Sequence, residues 1–201
     1  YPVHNLQFKI KQEDKIKEIL TLEECQRLLS EAQRLDHAWY HVWAMALNTG
    51  CRNGELYALR KESIDFELGL IRITNSWDFV DERLKPTKKS YWRNVPISED
   101  LKKLLLEIME ANPDGEFLLP RLKEWQGREQ AKVLREFCNH IGIPSVRFHT
   151  LRACFATHLL AAGVEPSVVR LIGGWKDIKS FQIYIRPVSY THLTLPTKRI
   201  V

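Results

Sequence analysis

The stretch HTLRACFATHLLAAG, residues 149–163, decides how the rest of the chain is read. Leu151, Phe155 and Leu159 recur every four residues, so they define the buried face of a helix, and Cys154 and Ala162 widen it. Gly163 ends the helix. His149 and Arg152 then lie at its start, where unpaired backbone N–H groups and the helix dipole favour an anion. His158 lies further along and reads as a packed or half-exposed histidine rather than a ligand.

Outward from this helix the chain is a series of short elements. Thr21 is a suitable N-cap for a helix carrying Leu22, Cys25, Leu28 and Leu29. A second helix gathers Trp39, Val42, Trp43, Ala46 and Leu47 on one face and stops at Gly50. A short helix is expected at about 54–59. The segments LGLIRIT (68–74) and RNVPI (93–97) read as strands, with RLKPTKKSYWR (83–93) as the cationic tip of a hairpin between them. Ser98 caps a helix bearing Leu101, Leu104, Leu105 and Ile108. EFLLP (116–120) is extended or a short strand, and a helix from about 127 to 140 stops near Gly142. Pro166 suits the first position of a short helix through Leu171, and a last one is expected around 179–186. The fold class is therefore mainly α with a small antiparallel β-sheet.

The chain has 201 residues and a hydrophobic content of 44%, enough for a substantial core. Its net charge of +5 favours anionic partners, of which nucleic acid is the commonest. Cys25, Cys51, Cys138 and Cys154 form no CxxC pair and no metal-ligand spacing, so they read as reduced, mostly buried thiols. No run is long and apolar enough for a membrane span, and no signal peptide is legible. The start at Tyr1 suggests a fragment of something longer. Residues 1–20, with Lys9, Lys11, Lys15 and Lys17, read as a linker or arm. The tail PVSYTHLTLPTKRIV (187–201) resembles translated vector or adaptor sequence and is left out of the fold; a native tail is the competing reading.

Five segments carry residues suited to chemistry. In NTGCRNGELYALR (48–60), Arg52 sits in a turn with Glu55 three residues on, either buttressed into a cleft or as a plain surface ion pair. His149 and Arg152 form the second group. In GGWKDIKSFQIYIR (173–186) a double glycine precedes Trp175, and apolar neighbours surround Tyr184, which by itself reads as a core residue. Lys85, Lys88, Lys89 and Arg93 in the basic segment, with Tyr91 and Trp92 interleaved, suit nucleic acid or a solvated turn. The lysine-rich arm is the fifth.

Taken together these segments resemble, in order and in kind, the catalytic domain of the tyrosine recombinase (phage integrase) family. TGCRNGEL resembles its first arginine box, PTKKSYWRNVPI its β-hairpin lysine segment, HTLRACFATHLLAAG its His-x-x-Arg box, and GGWKDIKSFQIYIR its final box. Tyr184 follows Trp175 by nine residues, as in the family. The resemblance covers roughly residues 20–186, and it makes 21–186 a catalytic domain and 1–20 the linker from an absent N-terminal DNA-clamping domain.

The resemblance implies site-specific DNA cutting and rejoining through a covalent 3′-phosphotyrosine, with no metal or other cofactor. It makes Arg52 and Arg152 the grip on the scissile phosphate. His149 and Trp175 become further hydrogen-bond donors, and Tyr184 the nucleophile. Lys88 is the hairpin lysine that protonates the leaving 5′ oxygen, with Lys85 and Lys89 close enough to compete. Glu55 supports its neighbours, and Lys85, Lys89 and Arg93 contact DNA. Many members carry His where Trp175 stands; an indole N–H still donates but cannot shuttle a proton. Other readings are a non-catalytic DNA-binding module and a type IB topoisomerase. The implied partner is double-stranded DNA, bound by a homotetramer of the full-length protein, with this piece a monomer. The implied setting is the cytoplasm or nucleoid of a bacterium or archaeon, or a phage gene.

Overall fold

The computed structural model describes residues 19–86, 92–179 and 181–184. Chain order is α1 (Leu22–Arg34), α2 (Tyr40–Thr49), α3 (Asn53–Ala58), a 3-10 turn (Lys61–Ser63), β1 (Ile64–Asp65), β2 (Leu70–Ile73), β3 (Asn75–Asp78) and β4 (Arg83–Pro86). There follow β5 (Arg93–Pro96), α4 (Glu99–Ala111), α5 (Lys123–Gln126), α6 (Gln130–Ile141), α7 (Phe148–Ala161) and α8 (Pro166–Gly173). Residues 178–179 and 181–184 are helical as well. The architecture is the expected one, helices around small antiparallel sheets.

Local chemistry explains most boundaries. Thr21 and Glu24 form a reciprocal capping box: the Thr21 N–H donates to Glu24 Oε2 at 2.7 Å, and the Glu24 N–H donates to Thr21 Oγ1 at 3.2 Å. Such a cap stabilises the helix by about 1 kcal/mol. Gly50, Gly142 and Gly174 end α2, α6 and α8 in the left-handed conformation. Ser98 Oγ accepts from the Leu101 N–H at the start of α4, and Pro166 opens α8.

Helix α7 is the hub, packed on α2, α6 and α8. It is buried on most sides rather than along one stripe, from Phe148 through Thr157 with only His149 and Thr150 outside the core. Leu151 and Phe155 are buried as expected, but Leu159 is only partly so, and Leu160 takes the core position. The reason is that α7 is enclosed by neighbours on several sides, so no single face has to carry the apolar residues. His158 is structural, with Nε2 at 3.0 Å from Leu20 O, a group that can only accept. Leu20, assigned to the arm by sequence, is fully buried against this core; residues 1–18 and the tail 187–201 lie outside the described residues.

The sheet differs from the simple hairpin expected. Strands pair in the order β1-β2-β5, with Ile71 opposite Val95 and Ile73 opposite Arg93. Between β2 and β5 the chain inserts a second hairpin, β3-β4. Its turn, at 79–82, is acidic: Asp78 Oδ1 accepts from the Val80 and Asp81 N–H groups, a side-chain turn mimic that aspartate performs well. Most of the expected cationic tip, residues 87–91, lies outside the described residues. The helix expected at about 127–140 is α6, starting three residues later than expected, and a short helix, α5, precedes it. Arg128 adopts a positive φ of 63°, so α5 ends before α6 begins. This places Trp125 in the core, its Nε1–H donating to Asn53 Oδ1 at 2.7 Å.

The four cysteines are buried free thiols. Among the described residues no helix is long and apolar enough to cross a membrane.

Candidate active site

The C-terminal end of α8 gathers three arginines. A helix leaves its last carbonyls without intrahelical partners, and those carbonyls carry the negative end of the helix dipole. Here each of three consecutive carbonyls receives a guanidinium from a different element. Arg93 Nε, on β5, donates to Ile172 O at 2.7 Å. Arg152 Nη1, on α7, donates to Gly173 O at 2.6 Å. Arg52 Nη2, at the start of α3, donates to Gly174 O at 2.8 Å. Residues more than 100 apart in sequence thus meet at one turn.

Glu55 lies beneath this turn, almost fully buried. Its Oε2 accepts the Arg52 backbone N–H at 2.8 Å and Arg93 Nη2 at 2.7 Å; its Oε1 accepts Arg52 Nη1 and Arg93 Nη1, both at 2.9 Å. Burial alone would raise this carboxyl. The hydrogen bonds and charge of Arg93, followed by those of Arg52, overcome that and hold it at about 2. Burial works against the Arg93 cation too, but its pairing with Glu55 leaves it above the usual arginine range.

Arg152 is in a different state. Its guanidinium lies 3.8 Å over the Trp175 ring, and Nη1 also donates to Gly50 O at 2.5 Å. Nη2 is buried and has no hydrogen-bond partner among the described residues. Burial, with repulsion from Arg52 and Arg93 offset in part by Glu55, pulls it down to about 9. A buried cation with an unused donor is the arrangement that an incoming anion relieves.

Trp175 continues the site to Tyr184. Their rings meet edge to face at 5.5 Å, and both belong with Phe155, Leu160, Val169 and Phe181 to a small apolar cluster apart from the main core. Burial pushes the Tyr184 phenol up, against the opposing effects of the Arg152 charge and a hydrogen bond with Trp175. His149, in the first turn of α7, lines a cleft of about 240 Å³ with Cys51, Asn53, Gln130, Arg147 and Arg152 among its neighbours. Among the described residues no three His, Cys, Asp or Glu side chains gather as a metal site requires.

The structure thus brings together Arg52, Glu55, Arg152, Trp175 and Tyr184, with His149 on the adjoining cleft. Two expectations for the basic segment change. Arg93, read as a DNA contact, is 6% exposed and committed to Glu55. The signal was present in the strand period: Arg93 shares a face with Val95, whose side chain points into the core. Lys85 sits on β4 with its ammonium on Asp78 and, at 2.8 Å, on Asp81, so the acidic turn holds it. Lys88 and Lys89 lie outside the described residues. Sequence reasoning missed the α8 carbonyls altogether, because a backbone acceptor has no residue signature.

A sequence profile of the phage integrase family matches residues 18–189. The chain belongs to the phage integrase family. It is 29% identical over 180 residues to tyrosine recombinase XerA of Thermococcus kodakarensis, a match covering 87% of this chain and 59% of that protein. It is 30% identical over 162 residues to XerD of Lacticaseibacillus casei, covering 76% of this chain and 50% of that one. The chain therefore spans about half the length of the curated relatives it matches. Its fold is that of integrase-family structures. A crystal structure of XerA recombinase superposes with a TM-score of 0.70 at 22% identity, over 93% of this chain and 67% of the other. The Tn1549 transposon integrase, in complex with transposon right end DNA, gives 0.73 at 18% identity, over 92% and 69%.

Proposed function

We propose that this chain is the catalytic domain of a site-specific DNA recombinase of integrase type. The observation that carries the proposal is Arg152: a buried guanidinium, stacked on Trp175 beside Tyr184 and joined to Arg52 through one helix end, with an unused donor. The relatives named recombinases and the DNA-bound structure above support the same reading.

In this reading the scissile phosphate of duplex DNA binds between Arg52 and Arg152. Planar guanidinium groups match the non-bridging oxygens, on which charge grows as the phosphorus is attacked. The Tyr184 oxygen attacks phosphorus, forming a phosphotyrosine with the 3′ end while the bond to the 5′ oxygen breaks. Lys88 gives its proton to that oxygen, and the Tyr184 proton passes to a basic group. Approach of the DNA 5′ hydroxyl of a partner strand reverses the step, so rejoining needs no external energy source. Trp175 and His149 add hydrogen bonds to the phosphate, Trp175 without a proton-transfer role. Lys89 steers DNA.

Residues 1–18 connect to an N-terminal DNA-clamping domain, and the full-length protein acts as a homotetramer on two duplexes. The isolated piece is a monomer. The test is covalent capture: full-length protein is incubated with a pool of nicked, randomised duplexes, and adducts are recovered by denaturing electrophoresis and sequenced. Wild type yields adducts on one enriched sequence, and Tyr184→Phe yields none. Adducts from Tyr184→Phe would overturn the nucleophile. Relaxation of supercoils without strand exchange would favour a topoisomerase.

A further inference from the structure

The three arginines at the α8 terminus have unequal tasks. Arg52 keeps a side chain 44% exposed, and Arg152 keeps an unused donor. Arg93 keeps neither: its side chain is 5% exposed, one prong of its fork lies on each oxygen of Glu55, Nε lies on Ile172 O, and Nη2 reaches Cys51 Sγ at 3.6 Å. It is absent from the residues lining the cleft beside Arg152. Its geometry suits another protein group, not substrate.

We infer that Arg93 is a positioning residue: by clamping Glu55 with both prongs and the α8 end with Nε, it keeps Glu55 seated beneath Arg52 and the Ile172–Gly174 carbonyls aligned for Arg52 and Arg152. The inference rests on the recombinase reading above. Two side-chain bonds from Arg93 and one from Arg52 fill both Glu55 oxygens, so Glu55 directs Arg52 only while Arg93 shares it. Charge follows the same logic, since one carboxylate against three guanidinium groups leaves two positive charges for a phosphodiester. Gly174 fits the clamp: at φ +71° a Cβ there would lie 2.9 Å from Arg93 Cδ.

The groups facing Glu55 are Arg93 from β5, Arg52 from the start of α3, Cys51 just before it, and Arg152 from α7; α8 supplies carbonyls. Without the Arg93 charge, a carboxyl this buried is raised and takes up a proton in mild acid. A wild-type site has no such ionisation between pH 5 and 8, and an Arg93 variant acquires one.

The experiment uses full-length protein, the duplex recovered by covalent capture, and the variants Arg93→Met and Arg93→Lys. Adduct formation is measured at saturating duplex from pH 5 to 8, with Kd measured separately, and Glu55 is titrated by ¹³C-carboxylate NMR. Arg93→Met is expected to react about 10- to 100-fold more slowly at pH 7, as for a misplacement remote from the chemistry. Its Kd stays within about twofold, its rate falls further toward pH 5, and the Glu55 resonance titrates in step. Lysine restores the charge but not the fork, so Arg93→Lys falls between in rate and in pH dependence. If Arg93→Met does not fold, Arg93→Lys decides by the same readouts. A wild-type rate and flat profile would overturn the inference, as would a loss confined to Kd, which makes Arg93 a DNA contact. If wild type forms no adduct on any duplex, the recombinase reading fails, and the Glu55 titration still decides the coupling.

Discussion

The guanidinium of Arg152 rests 3.8 Å above the ring of Trp175, and the same ring meets Tyr184 edge to face at 5.5 Å. One indole therefore seats the buried cation with one surface and the phenol with another. A cation over an indole face is worth about 2 kcal/mol when desolvated. Trp175→Ala is expected to destabilise the domain by about 3–5 kcal/mol, as deleting a buried aromatic does, and to abolish adduct formation. Trp175→Phe keeps a ring for Arg152 and loses the N–H. Thermal unfolding and adduct yield, measured side by side, separate the two contributions.

Inorganic phosphate should stabilise the chain through Arg152. The unused Nη2 and the positive surroundings make an anion bind the folded state alone. At about ten times its Kd such a ligand adds about 1.4 kcal/mol, or about 3–6 °C in Tm for a domain of this size. Calorimetry of Arg152→Met in the same phosphate should show no such rise; an equal rise would locate the anion elsewhere.

Acid should weaken the fold through Glu55. Its folded value, about 2, lies below the ordinary 4.5, so between those values the unfolded chain binds the proton first. The stabilisation is fully present above about pH 4.5 and is lost as pH falls toward 2. A shift of this size corresponds to about 3 kcal/mol. Urea unfolding at pH 7, 4.5 and 3 should show that loss in wild type and a smaller one in Glu55→Gln. The variant starts lower by about 3–5 kcal/mol, since Arg93 is left without its carboxylate.

Gly173→Ala should disconnect the site without touching a charge. A Cβ at Gly173 would lie 1.8 Å from the Trp175 ring, so the indole must leave its place over Arg152. Expected outcomes are a change in tryptophan fluorescence and loss of adduct, with DNA affinity largely retained. Unchanged fluorescence would show that the backbone absorbs the methyl group.

DNA binding by this chain without further domains should be weak and steeply salt-dependent, because its contribution is chiefly phosphate contact. Titration of a fluorescent duplex at increasing potassium chloride measures the slope. Tight, salt-insensitive binding would contradict it.

Much of this was legible in one dimension because it depends on neighbours in sequence. The Thr21 N-cap, the glycine stops at 50 and 142, Ser98 at the head of α4 and the strand at 93–96 all follow from local preferences. Arg52, Glu55, His149, Arg152, Trp175 and Tyr184 stood out as a set only through the family resemblance of the boxes that carry them. The β3-β4 hairpin was hidden, since Asp78 acts as a turn former only through its own side-chain bonds.

Tertiary structure alone decided what each arginine does. The sequence placed Arg52 and Arg93 at the start of short elements and Arg152 in the first turns of a long helix, and it read Arg93 as a surface cation. Packing of α7 on α2 and α8, and of α8 on β5, carries all three to one helix end. There a carboxylate and three backbone carbonyls divide the donors, leaving Arg93 filled and Arg152 unfilled. The physical reason is that a charged side chain's role depends on desolvation and on which acceptors reach it. Those acceptors, the carbonyls of Ile172, Gly173 and Gly174, exist as a set only once the helix that presents them has docked.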